Sequence, residues 1–362
     1  MTGHTLRGPD TNGVVAGLLR DLAAIQSSQP RRWAYSGAAA TIFGLGEPLE
    51  ALVRSDGTLP KLPGIGPKSE RVVLEVLRTG ASPTVERAVA ESGKIADIER
   101  RRQLRDNFLS RAQVVHVLRG DVPNAPAVAD YRGDFQTHST WSDGSQSLDD
   151  LVGAALARGY LHSAATDHSH GLRIARGMSM EDVSRQGAEI DRVNREQLGR
   201  FRLIKGIETN IAADGSIDVP PGEFELVLAA PHSGLRTSDD QTARMLRVVE
   251  TPGVHILGHP RGRMYGARAG VVADWDAVFA AAVRANVAIE IDGDPMRQDI
   301  DYVLARRAVE SGCLFALNSD AHSPRELLYA ETAIAHARLA GVPRERVLNS
   351  WSTERLLDWL AR

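Results

Sequence analysis

The sequence is short of the features that mark several protein classes. It holds one cysteine in 362 residues, Cys313, which excludes an internal disulfide framework. Cys313 lies in the apolar run CLFAL and reads as a small buried hydrophobe. No apolar run approaches the ~20 residues of a membrane span, so no membrane partner is expected. The start, MTGHTLRGPD, has no apolar signal core, and the expected location is cytoplasmic. Aromatics are 5% of the chain and the formal net charge is −3. No global basic bias advertises nucleic acid, though local basic patches can.

What the chain does have falls into two blocks. Its length suggests two domains. Residues 1–92 read as helical, with helix-spaced apolar positions at Val14, Val15, Leu18, Leu19, Leu22 and Ile25. Trp33 to Phe43 and Leu49 to Val53 continue the pattern. Then comes LPKLPGIGPKSERVVLEVLRTG, residues 59–80. Gly64 and Gly66 allow close backbone approach to a ligand, and the following helix start offers free N–H groups to a phosphate. Lys61 and Lys68 flank the turn. Residues 93–130 form a connector, with Arg100, Arg101, Arg102 and Arg105 on a solvated face or a basic strip, and a linker marked by Pro123 and Pro126.

Residues 131–362 alternate short apolar strands with amphipathic helices, the grammar of a parallel barrel-like sheet. Polar residues cluster just after the strands, which places them together at the C-terminal face. The stretch GDFQTHSTWSDG begins in an apparent first strand, 131–135, and carries His138 and Asp143, and His168, Glu208, His232, His259, Asp320 and His322 follow later strand ends. Five imidazoles and three carboxylates at one face suit two or three Zn²⁺, Mn²⁺ or Fe²⁺ ions. Two close metals clamp the attacking and leaving oxygens of a phosphoryl displacement and generate hydroxide at neutral pH. Arg173, Arg176, Arg261, Arg263 and Arg297 are candidates to hold substrate phosphate. Arg261 and Arg263 stand out because they follow His259 in a glycine-rich loop. His170 is either a general acid or an exposed residue, and Glu290 is a candidate to orient a metal ligand.

The motifs THSTWSDG, ATDHS, GIETNI, AAPHS, GHP and NSDAH resemble the polymerase and histidinol phosphatase (PHP) family of metal-dependent phosphoesterases, over residues 131 to about 340. Within it, GHPRGRMYG and the upstream helices are most similar to the domain attached to bacterial family X DNA polymerases. The LPGIGPK segment resembles that family's helix–hairpin–helix, which grips a nucleic-acid backbone through residues such as Gly64, Gly66 and Lys68. The resemblance implies a distorted (β/α)7 barrel preceded by a small all-α helix–hairpin–helix domain.

It also implies a trinuclear site. One ion would take His138, Glu208 and Asp320, a second Glu208, His232 and His259, and the third Asp143, His168 and His322. The family's first motif is usually His-x-His, and here it is Gln136-x-His138, so Gln136 would coordinate the first ion weakly or hydrogen-bond its water, and that ion would sit more loosely and favour Mn²⁺. The family's Schiff-base lyase lysine falls on Val72, which has no amine. No paired carboxylates on a strand precede residue 130, and there is no room for a polymerase palm, so no polymerase activity is expected.

The implied function is a phosphodiesterase acting on DNA by metal-bound hydroxide, a 3′–5′ exonuclease or abasic-site endonuclease, with DNA and DNA-repair proteins as partners. The alternatives are a small-molecule phosphomonoesterase of the histidinol-phosphatase kind and a DNA-binding scaffold with a degenerate barrel.

Overall fold

The structure, a computed structural model, describes residues 8–362. It divides into two compact units. Among the described residues, one holds 8–121 with 265–267, and the other 122–264 with 268–362.

The first unit is helical among its described residues. Helices span Thr11–Ile25, Gln29–Gly44, Leu49–Leu52, Pro67–Thr79, Pro83–Ser92, Ile95–Gln103 and Arg111–Arg119. Their apolar faces meet in a core that includes Val15, Leu19, Ile42, Leu49, Val73, Val85 and Ile98. Val72, at the lyase position of the resembled family, is part of that core. Side-chain caps set several starts: Asp10 accepts from the Gly13 N–H and Ser82 from the Val85 N–H.

The charged run of the connector divides in two. Arg100 and Arg101 pair with Asp97 on an exposed helix face. Arg102 and Arg105 reach back to the buried carboxylate of Asp21, at 2.7 and 2.6 Å. That second pair ties the 95–105 segment into the helical unit. Around the glycine turn, Gly64 has φ +73°, a left-handed value that favours glycine. Gly66 precedes a helix that opens on Pro67, and Lys61 and Lys68 are exposed.

The second unit is built on six parallel strands in sequential order: β1 His162–Ala165, β2 Arg202–Asn210, β3 Leu226–Ala230, β4 Ile256–Leu257, β5 Ala288–Asp292 and β6 Phe315–Asn318. β1, β3, β4, β5 and β6 are buried along their whole length. This is the signature of a parallel sheet covered on both faces.

The stretch expected as a first strand, 131–135, forms no regular strand. It runs extended instead. The carbonyls of Asp134 and Thr137 accept from Ala164 and Thr166 on the β1 side. His138 N–H donates to the Ala321 carbonyl, past β6. This irregular stave lies between the first and last strands and gives the curled sheet its barrel character. The last helix, Thr353–Leu360, buries Leu356, Trp359 and Leu360 against Ile204, Leu226, Ile256 and Ala288, at or near the starts of their strands. Burial of each such side chain stabilises by about 1.5–3 kcal/mol. That end is closed by apolar packing, which leaves the opposite, C-terminal end for polar groups. Among the described residues, no helix is long and apolar enough to cross a membrane.

Candidate metal centre

The eight strand-end residues converge. His138 Nε2 lies 3.0 Å from Asp320 Oδ1 and 3.3 Å from Glu208 Oε2. His168 Nδ1 is 3.4 Å from the same Glu208 oxygen. The other oxygen of Glu208 meets His232 Nε2 at 3.2 Å and His259 Nε2 at 3.0 Å. His322 Nε2 is 3.3 Å from Asp143 Oδ1, with His168 Nε2 at 3.7 Å. The donor atoms form three overlapping groups: His138, Asp143, His168 and His322; His168, Glu208 and His232; and His138, Glu208 and Asp320.

Local structure sets this geometry. Gly144 closes the first loop where a Cβ would come within 2.3 Å of the His138 carbonyl oxygen, so only glycine fits. Asp167, beside His168, fixes the same loop. Its carboxylate accepts from the backbone N–H groups of Ser139 and Ser142, from both their hydroxyls and from Gln186. Asp320 and His259 hold positive φ, +54° and +22°, a conformation that costs roughly 1–3 kcal/mol for a non-glycine residue. The His259 N–H donates to Glu290, which holds it there.

Outer contacts choose the ring nitrogens. His232 Nδ1 pairs with Asn210 Oδ1 at 2.7 Å, and His322 Nδ1 with the Asp320 carbonyl at 2.8 Å. Each partner accepts, so Nδ1 carries the proton and Nε2 is left as a donor to a metal. Arg244, from the helix Thr242–Val249, clasps the carbonyls of Ile211, Ala212 and Ser233, bracketing Asn210 and His232.

The electrostatics fit divalent cations. Burial pushes His168 and His259 down to about 4, so both are neutral at pH 7 and free to ligate. Burial would raise the Glu208 carboxyl, but the imidazoles of His168, His138, His232 and His259 overcome it and hold it well below the carboxylate range. Asp143 is drawn down to about 2, where His322, His138 and His168 outweigh its burial. Several imidazole nitrogens are buried with no hydrogen-bond partner: both of His138, Nδ1 of His168 and Nε2 of His232. Buried imidazole nitrogens that face carboxylates without a hydrogen-bond partner are groups a metal cluster would satisfy. The residues therefore fit divalent ions.

The remaining candidates lie as follows. Arg263 is buried and paired with Asp301, and Arg261 is partly exposed, also on Asp301 at 3.3 Å. Asp299 accepts from the backbone N–H groups of both. Arg173, Arg176 and His170 are exposed. Gln136 is buried, and its amide nitrogen donates to both oxygens of Glu290, the longer bond at 2.9 Å. Glu290 thereby collects Gln136, Asn318 and the His259 N–H. Asp167 and Arg244 were not singled out from sequence. Asp167 adjoins a ligand histidine in ATDH, which was a usable signal, whereas Arg244 looks like any arginine on an amphipathic helix.

A buried set of imidazoles and carboxylates at the C-terminal ends of a parallel barrel defines a metal-dependent hydrolase. No family model matches the chain. The chain is 34% identical to the DNA polymerase/3′–5′ exonuclease PolX of Bacillus subtilis over 235 residues, which cover 64% of this chain and 41% of that protein. It is 28% identical to a "probable phosphatase" of Thermoanaerobacter sp. over 169 residues, covering 43% of this chain and 66% of the relative. It is 29% identical to a "probable phosphatase" of Shewanella sediminis over 247 residues, 64% of this chain and 94% of the relative. The chain thus spans less than two thirds of the length of the first two relatives. Among solved structures, histidinol phosphate phosphatase from Lactococcus lactis superposes with a TM-score of 0.43 and 20% identity, over 57% of this chain and 94% of that one. The site and these sequence similarities together make the barrel a metal-dependent phosphoesterase.

Proposed function

We propose that the protein is a metal-dependent phosphodiesterase that shortens DNA, with 3′–5′ exonucleolytic cutting as the principal activity and abasic-site cutting as a variant of the same chemistry. The observation that carries this reading is the presence, in one chain, of the barrel site and a helical unit whose Gly64–Gly66 turn exposes Lys61 and Lys68. A hydrolase of small monoesters has no need of such a unit. The similarity to a relative named as a 3′–5′ exonuclease supports the same reading.

Divalent ions in the site would polarise a phosphoryl oxygen and supply a nucleophile at neutral pH. The chain's own residues do the rest. Glu208 shares its two oxygens among four imidazoles, which keeps neighbouring ligand sets in register. Asn210 and the Asp320 carbonyl hold His232 and His322 in the ligating tautomer. Asp167 keeps the His138–Asp143 loop closed over the site.

The second reading is a phosphatase for a small monoester. It is favoured by the relative of which this chain covers 94% and whose name says only phosphatase. Product analysis tests the proposal. The full chain is given a 5′-labelled single-stranded oligonucleotide with Mn²⁺. A metal-dependent ladder abolished by EDTA is expected; an intact oligonucleotide would refute the nuclease reading.

A further inference from the structure

The three donor groups are not equivalent. The group of His138, Asp143, His168 and His322 brings together three imidazoles and a carboxylate. The group of His168, Glu208 and His232 shares His168 with the first, but His259 also directs Nε2 at the Glu208 oxygen that His232 meets, so it keeps two imidazoles of its own. The third group, His138, Glu208 and Asp320, shares His138 with the first and Glu208 with the second. A neutral imidazole offers one lone pair and cannot serve two ions at once. Only Asp320 belongs to the third group alone.

Two further features bear on that group. Gln136, where an imidazole would complete it, is buried and turns its amide nitrogen to Glu290. Arg297 places its guanidinium 3.4 Å from Asp320 Oδ2 and 3.9 Å from Asp292 Oδ2. Asp292 is fully buried. A fixed cation already sits against the carboxylate that the third ion would need, and like charges that close repel strongly in a low-dielectric site.

We infer that this chain binds two divalent ions rather than three, and that the Arg297 guanidinium supplies the positive charge of the third beside Asp320. The inference rests on the phosphoesterase reading of the site. Gln136 and Arg297 act together in it: the first withdraws a ligand, and the second neutralises the carboxylates left behind.

Metal content tests this without reference to activity. The full chain is loaded with Zn²⁺ or Mn²⁺, freed of loose ions by gel filtration and counted by plasma mass spectrometry. Two ions per wild-type chain are expected, and three in the Q136H/R297M double variant, with far-ultraviolet circular dichroism checking its fold. R297K keeps the charge and should stay at two. Three ions in the wild type overturn the inference and leave the phosphoesterase reading standing. Two ions in a folded double variant also overturn it, above all if R297M raises KM alone, which would make Arg297 a substrate clamp. Fewer than two in the wild type overturn both. Should the double variant not fold, the wild-type count decides.

Discussion

Asn210 Oδ1 lies 2.7 Å from His232 Nδ1, and that contact decides which nitrogen of the ring faces Glu208. Asn210→Ala frees the ring to flip and to take the other tautomer. A lost outer contact of this kind typically costs about 10–100-fold in metal affinity. The expected outcome is a loss in that range on metal titration, with an unchanged circular dichroism spectrum. Unchanged affinity would mean that His232 does not ligate through Nε2.

Metal binding should release protons. In the metal-free protein burial opposes charge on His138, but Asp320 and Glu208 outweigh it and hold its pKa well above 6.5. The raised value means that its contribution to stability is full below pH 6.5 and fades as pH rises through the folded value. A metal ion must displace that proton, so affinity rises with pH. Calorimetry at pH 7 in buffers of different ionisation enthalpy should show net proton release. Buffer-independent heats would contradict the assignment.

Asp21 is the anchor of the helical unit. It is 1% exposed and accepts from Arg102 and Arg105. Asp21→Asn leaves two guanidinium groups short of their counter-charge. Fully buried pairs lose 3–5 kcal/mol when broken; Arg102 is about a third exposed, so water recovers part of that. A loss of about 2–3 kcal/mol is expected, read as a lowered urea midpoint.

The glycine turn makes a separable prediction. Replacing Lys61 and Lys68 with alanine should weaken DNA binding at all sequences alike. The slope of log affinity against log salt should fall by about one for each phosphate contact removed. Release of phosphate from a small monoester should not change. Equal loss on both substrates would deny the turn a role in holding DNA.

Much of this was legible in sequence because the signals are periodic or chemical. Buried parallel strands read as short apolar runs, and a histidine or carboxylate after each run marks the site. The 131–135 stave was harder. Its composition is strand-like, yet its neighbours are β1 and the irregular 319–321 segment, which a one-dimensional pattern does not reveal. The helix Pro83–Ser92 leaves a weak periodic signal, since its buried residues are Val85 and Val89 alone. The direction of the Gln136 amide is set by Glu290, more than 150 residues away. The ion pairing of Arg263 with Asp301 is likewise tertiary. Long-range partners of single polar residues leave no trace in local spacing.

The most direct measurement compares two substrates on one preparation. The full chain with Mn²⁺ is given a labelled single-stranded oligonucleotide and histidinol phosphate, in parallel and at equal concentration. Stepwise shortening of the oligonucleotide is expected, at a rate well above phosphate release from the small ester. Phosphate release alone, with the oligonucleotide intact, would contradict the nuclease reading and make the barrel a phosphomonoesterase.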